Sequence, residues 1–298
     1  MRPSSSASPR SSRTPRDAPA VTVLVFTALL FAGAAAAGLV GALTGLGGGV
    51  VLVPLLTLAL GVDLRYAIGT ALVAVIATSS GAAAAYVREG FSNVRIGLFF
   101  EIATTLGALL GAFLAPRVPV AAIAVIFGTV LLASAAFSWK PRPPDATGRA
   151  PDPLATRLRL NGSFPSLSGE RAYFPRRVPL AWLLMVVAGA VSGLLGIGSG
   201  ALKVLSMDGV LGLPYKVSTT TSNFMIGVTA AASAGVYLSR GYIDPGLAAP
   251  VVLGVLAGSA LGAHILTRAR TNVLRLVFTA VILVMAVQMI VHGLRGAA

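Results

Sequence analysis

The sequence predicts an all-α polytopic membrane protein. It reads as about eight transmembrane helices in two homologous four-helix halves, each holding a broken or re-entrant glycine-rich segment. Three observations predict this. Of 298 residues, 56% are hydrophobic and only 11% are charged, with a mean hydropathy of +0.86. Apolar runs of about 20 residues recur, each long enough to cross a ~30 Å hydrocarbon core as a helix. Finally, residues 45–49 (Gly-Leu-Gly-Gly-Gly) return as residues 196–200 (Gly-Ile-Gly-Ser-Gly). That offset of 151, without a gap, also pairs Gly61 with Gly212, Thr70 with Thr221, Thr78 with Thr229, Tyr86 with Tyr237 and Gly107 with Gly258. The short alternating segments of a membrane β-barrel are absent.

Residues 1–20, rich in Ser, Pro and Arg, form a basic tail that is expected to be disordered. Cleavage near Ala34–Ala37 would remove a span that the repeat requires, so the first apolar run is an uncleaved helix rather than a signal peptide. The first membrane repeat, 21–139, has apolar segments at 21–43, 50–61, 65–87, 94–115 and 119–139. A basic linker follows at 140–178, rich in Pro, Arg and Ser, with little fixed structure expected. The second repeat, 179–295, has segments at 179–195, 201–212, 217–238, 246–267 and 272–293. Segments 50–61 and 201–212 are too short to span and each follows a glycine cluster, which fits half-helices. If neither crosses, each half has four crossings and the repeats share one orientation. The N-terminal tail, the Arg88–Arg95 loop, the linker, the Arg240 loop and Arg295 then lie on one side, and Arg268, Arg270 and Arg275 on the other. Positive charge resists translocation, so the first side is the cytoplasmic face of the cell's inner membrane, and both termini are expected there. Gly107-x-x-x-Gly111 and Gly258-x-x-x-Gly262 permit close helix approach, within one chain or in a homo-oligomer.

The net charge is +14, and its two largest basic clusters sit in the tail and the linker, beside apolar spans. It marks membrane orientation and anionic lipid of the bilayer rather than nucleic acid. There is no cysteine, which excludes disulfides, thiolate metal sites and cysteine nucleophiles. No metal-ligand cluster and no Ser-His-Asp arrangement is evident, so neither a metal, a cofactor nor an enzymatic activity is expected.

A duplicated, glycine-interrupted apolar segment in both halves is the best sequence pointer to a transporter's binding site. A helix start leaves backbone N–H groups without partners at its positive dipole end, and glycine lets a ligand come close. Gly47, Gly48 and Gly49, with Gly198, Ser199 and Gly200, could thus form two facing anion cradles. The alternative is that they only allow tight packing or a kink. Ser218, Thr221, Ser222 and Asn223 lie in the most polar run within the second half's apolar sequence. Its first-half counterpart keeps Thr70 alone as a hydroxyl. These residues, with Thr78 and Ser79, are neutral donors for a small oxyanion, or caps and back-bonded hydroxyls. Lys203, three residues past Gly200, could attract an anion or pair with Asp208; its counterpart is Leu52. Glu101 and His264 are ionisable groups well inside predicted spans, candidates for carrying a coupling proton.

The run from Gly45 to Pro54 (GLGGGVVLVP), the run GLPYK ending at Lys216 and followed by Ser218–Asn223, the stretch Tyr86–Gly90, and Gly107–Gly111 with the basic turn at Arg117 together resemble the sulfite exporter TauE/SafE family of membrane permeases. The resemblance spans about 30–137 and 183–290. It implies transport of sulfite, organosulfonates or related small anions by about eight helices in a duplicated four-helix unit. It also implies that the glycine cradles and the Ser/Thr/Asn run contact the anion. Ser199 in place of a third glycine, Leu205 opposite Pro54, and the long basic linker depart from the pattern. The leading expectation is a secondary transporter of a small anion working by alternating access. An anion channel, a permease of another small metabolite and a non-transporting scaffold are the alternatives.

Overall fold

A computed structural model describes residues 20–44, 48–88, 92–139, 152–166, 169–266 and 271–296. Among them are eight helices of 18 residues or more: α1 (Ala20–Thr44), α3 (Leu64–Arg88), α4 (Val94–Leu114), α5 (Val120–Trp139), α7 (Val178–Leu195), α9 (Tyr215–Ser239), α10 (Pro245–Leu266) and α11 (Thr271–Arg295). Three stretches, Val23–Gly41, Val94–Arg117 and Val178–Leu195, are on their own long and apolar enough to cross a membrane. Shorter apolar stretches lie in α3, α5, α10 and α11. On α4, Leu98, Ile102, Leu106, Leu110 and Phe113 stand exposed at helical spacing, a stripe that suits lipid rather than water. The protein is a helical membrane protein.

The glycine-rich segments lead into half-helices. α2 (Gly49–Pro54) continues as a π-helical turn over Leu55–Ala59, and α8 (Gly200–Leu205) continues over Ser206–Val210. Each unit is about 16 Å long at 1.5 Å per residue, roughly half a hydrocarbon core. Both close on a glycine in left-handed conformation at equivalent positions, Gly61 (φ 66°) and Gly212 (φ 73°), the usual way to stop a helix. The π turn forms after Leu205 as it does after Pro54, so the missing proline does not change the local path.

Each half-helix runs back along the helix before it. Gly48 lies against Ala37 and Gly38, and Gly33 against Leu55. Ser206 Oγ donates to Ala181 O at 3.3 Å, and Arg176 N donates to Leu211 O at 3.1 Å. The pair α1–α2 is therefore a return trip, as is α7–α8, and three long helices follow each. That makes an odd number of net end-to-end passes per half, which reverses the second half. The contacts agree. α3 and α9 cross antiparallel, with Gly69 beside Tyr242 and Ser79 beside Gly227. α5 and α11 are also antiparallel, with Gly128 beside Ala286 and Ile290, and Gly293 beside Ala121 and Val125. By contrast, α4 runs parallel to α7, and α1 parallel to α10. Moving each element by 151 residues exchanges these last two pairs and maps the first two onto themselves. The expected common orientation is thus corrected: equivalent elements run in opposite directions. The start of α1 and the end of α11 share one end of the molecule. The described part of the linker occupies the other, with the starts of α4, α7 and α9. The Arg240 loop, expected on the linker's side, lies opposite it beside Arg65 and Pro116.

Small residues carry the tightest crossings. Gly107 and Gly111 meet the carbonyls of Val186 and Ala190 on α7, and Gly258 meets that of Ala35 on α1. The small-residue motifs are occupied within one chain; the side chain position of Gly262 lies outside the described residues. The linker differs from expectation too. Its described part forms a short helix, α6 (Pro153–Arg157), and an antiparallel hairpin of β1 (Gly162–Ser166) and β2 (Gly169–Tyr173), so the chain is not purely α. Asp152 caps α6 by accepting from Leu154 N at 2.9 Å. Ala155, Leu160 and Tyr173 are buried in one cluster with Ile96, Phe100, Leu211 and Val217. Asn93 Nδ2 donates to Tyr173 Oη at 2.6 Å. Burial pushes the Tyr173 hydroxyl's pKa up, and the Asn93 contact offsets part of that.

Because the chain lacks cysteine, single-cysteine variants report topology cleanly. Ser163→Cys and Gly296→Cys are expected to react with a membrane-impermeant maleimide from opposite faces of oriented vesicles. Labelling of both from one face would contradict the reversed second half. Gly107→Leu is expected to destabilise the α4–α7 crossing by at least about 1–3 kcal/mol, because it meets backbone rather than a movable side chain; detergent-resistant thermal unfolding measures it.

Candidate functional site

The two glycine-rich segments meet near the centre. A Cβ on Gly49 would stand 2.7 Å from Val75 Cγ2, 3.0 Å from Gly196 O and 3.4 Å from Ile197 Cα, so a side chain there would push the two segments apart. The flanks are apolar. Val75 of α3 and Ile226 of α9 occupy equivalent positions, and a Cβ on Gly198 would lie 2.8 Å from Ile226 and 3.2 Å from Val75. Gly196 and Gly198 adopt left-handed φ of 69° and 70°, and Ser199 does so at 46°. A side chain in that region costs roughly 1–2 kcal/mol. Gly48, the counterpart of Ser199, has φ −66°, so the two segments do not have the same backbone. Gly47 lies outside the described residues.

Beside this crossing sits a buried charged cluster. Lys203 is 0% exposed and Glu101 6%. Lys203 Nζ is 3.9 Å from Glu101 Oε2 and donates to Thr229 Oγ1 at 2.5 Å. Thr229 Oγ1 donates to Glu101 Oε1 at 2.6 Å, and Thr105 Oγ1 donates to the same oxygen at 3.2 Å. Thr229 thus bridges ammonium and carboxylate. Three elements supply the cluster: α8, α9 and α4. Lys203 therefore pairs with Glu101 rather than with Asp208. The two charges are drawn together although they are 102 positions apart, and neither could remain in an apolar core alone.

The other predicted residues divide into two groups. Ser222 Oγ donates to Gly200 O at 3.3 Å, tying α9 to the start of α8. Thr221 Oγ1 accepts from Asn93 N at 3.1 Å and so holds the α3–α4 connection at the linker end. Thr78 donates to the carbonyls of Ala74 and Val75, and Ser79 to that of Ile76 at 3.2 Å; both are back-bonded within α3. Thr70, Ser199 and Ser218 are buried with hydroxyls that have no hydrogen-bond partner among the described residues. Asn223 is buried at 6% exposure, one position after Ser222. His264 falls in α10, its side chain outside the described residues. Thr229 was missed as a site residue. It stood in the sequence only as the repeat partner of Thr78, and nothing there placed it between a lysine and a glutamate.

The opposite end is closed by a different group. Arg65, Pro116, Tyr237, Arg240 and Tyr242 surround a small space there. Arg65 lies over the Tyr242 ring at 5.9 Å, and Arg240 over the Phe113 ring at 5.2 Å. Tyr237 Oη reaches inward to donate to Leu194 O at 3.3 Å, two residues before Gly196.

Breaking the buried pair from one side should be costly. Lys203→Met leaves the Glu101 carboxylate without a counter-charge and is expected to lower stability by about 3–5 kcal/mol. Lys203→Met combined with Glu101→Gln is expected to recover most of that loss. Denaturant unfolding in micelles checks both.

Three relatives are similar to the chain over most of its length. A probable membrane transporter protein, YunE, of Bacillus subtilis is 28% identical over 87% of this chain and 95% of its own length. A second from the same organism, YdhB, is 26% identical over 76% of this chain and 84% of its own length. A probable membrane transporter protein of Xylella fastidiosa is 26% identical over 85% and 92% respectively. No solved structure matches the chain significantly. The family model for sulfite exporter TauE/SafE matches residues 30–289, which takes in both glycine-rich segments, the buried charges and the linker between the two halves. The chain belongs to the sulfite exporter TauE/SafE family.

Proposed function

We propose that the protein is a secondary membrane transporter of a small anion, with sulfite, an organosulfonate or a related sulfur oxyanion as substrate class. Family membership supports transport, and the relatives are named as membrane transporters. One observation carries the reading: two half-helices enter from opposite ends and meet beside a buried lysine. Half-helices of this kind, built from reversed repeats, are a recurring way to hold a substrate near the middle of a membrane. On this reading the eight long helices span, and the halves are inverted four-helix repeats, each with a re-entrant half-helix. Lys203 supplies the attraction. Ser199, Ser218, Ser222, Asn223 and Thr70 are the neutral donors that this reading assigns to the anion along its path. The glycines let two backbones share one small space.

The packing is compatible with alternating access. Val75 and Ile226 close the crossing itself. The linker hairpin covers one approach and the Arg65–Arg240 group the other. Rocking one half against the other would open each approach in turn. The linker end carries the larger share of positive charge, with the linker's own arginines joined by Arg95 and Lys216. That end is therefore cytoplasmic on this reading, in a multi-pass plasma-membrane protein. Both termini then face away from the cytoplasm, in place of the cytoplasmic termini that the sequence led us to expect.

Thermal unfolding of the purified protein with sulfite, thiosulfate, sulfate, sulfoacetate or chloride tests the reading. One sulfur oxyanion is expected to stabilise the protein by about 2.7 kcal/mol when present at a hundred times its Kd. Asn223→Ala and Gly48→Leu are expected to remove that stabilisation while leaving the protein folded. No stabilisation by any of the five anions would count against an anion site.

A further inference from the structure

The buried cluster is left half-satisfied. An ammonium group has three N–H donors, and Lys203 uses one on Thr229 and faces Glu101 at 3.9 Å, beyond hydrogen-bond distance. Glu101 Oε2 is buried with no hydrogen bond of its own among the described residues, while Oε1 accepts from Thr229 and Thr105. So the lysine keeps free donors and the carboxylate keeps a free oxygen, side by side. This is an unstable division for a purely structural pair, which usually satisfies both groups fully. It suits a pair that must separate.

We propose that a substrate anion and the Glu101 carboxylate alternate as partners of Lys203, so that each anion is bound together with one proton placed on Glu101. This rests on the anion-transport reading above and adds its coupling ion. The charge count supplies the reason. Lys203 and Glu101 together are neutral. A monovalent anion arriving beside Lys203 leaves one uncompensated negative charge in an apolar setting, which is costly. A proton from solvent on Glu101 Oε2 cancels it. Lys203 stays an ammonium throughout, and Thr229 can then donate to the bound anion instead of to Glu101. No other titratable side chain faces Glu101 among the described residues. α7, packed along α4, has none between Val178 and Leu195. α9 brings Thr229, and α8 brings Lys203. Asp208 lies on the π turn beyond α8 and has partners of its own. The first half lacks the device, since Leu52 and Val252 stand where Lys203 and Glu101 would map. One proton per transport cycle is therefore expected, not two.

The test is proton uptake on binding, with methanesulfonate as the probe because it is a monovalent sulfonate whose charge does not change near neutral pH. Purified protein in weak buffer with a pH indicator is expected to take up about one proton per methanesulfonate bound. Methanesulfonate affinity is expected to fall by about tenfold for each pH unit once Glu101 is ionised, since the carboxylate then competes for Lys203. Glu101→Gln is expected to bind methanesulfonate with no proton uptake and no pH dependence. Glu101→Asp, which keeps a carboxylate, is expected to retain both, and it guards against a glutamine variant that folds poorly. Binding without proton uptake in the unaltered protein, or pH dependence that survives Glu101→Gln, would overturn the coupling and leave the anion site standing. No binding of methanesulfonate by the unaltered protein would strike the anion reading itself.

Discussion

The structure depends on one close approach. Two half-helices from opposite ends of the molecule meet most closely where nothing projects between their backbones. Gly49 against Gly196 meets that condition, and the neighbouring pieces follow from it. Each half-helix turns back along its parent helix, which fixes α1 beside α2 and α7 beside α8. The return trip leaves an odd number of end-to-end passes, which reverses the second half. Reversal then places α3 and α9 across the centre as an antiparallel pair, with Val75 and Ile226 at the crossing.

Within that frame the two halves have diverged in chemistry. The first half is apolar around its half-helix, where Leu52 lies fully buried. The second half carries Lys203 at the matching place and recruits Glu101 from the first. One charge cluster thus serves both halves and lies between them. Its position joins three elements, α4, α8 and α9, so any rocking of one half on the other must strain or break the Lys203–Glu101 contact. The same geometry that seats the charges makes them sensitive to motion.

Much of this was legible in the sequence, and the exceptions have physical causes. The helical class, the half-helices after each glycine cluster and the candidacy of Lys203 and Glu101 all came from composition, segment length and repeat offset. Orientation did not, because a half-helix was counted as not crossing, when it instead carries the chain back to its starting end. Charge counting could not rescue this, since basic residues lie at both ends. The Lys203–Glu101 pairing was hidden because it is set by tertiary packing across 102 positions, whereas Asp208 was near in sequence. The ordered linker was missed for a different reason. Few apolar residues punctuate 152–173, yet Ala155, Leu160 and Tyr173 are placed to bury together, and a window average conceals three well-placed side chains. The glycines also proved to have a dual character: close packing or a left-handed backbone explains Gly49, Gly196 and Gly198, and only the meeting of the two segments beside a buried cation adds a reason to look for a ligand.

The most direct measurement is counterflow of labelled sulfite in proteoliposomes, comparing the unaltered protein with the charge-matched pair Lys203→Met and Glu101→Gln. That pair removes both buried charges together and keeps the core neutral, so folding is preserved while the attraction for an anion is lost. The account predicts exchange by the unaltered protein and none by the paired variant, at equal amounts of folded protein. Exchange by the paired variant at the unaltered rate would contradict it, because the anion would then be passing somewhere other than the place where the two half-helices meet.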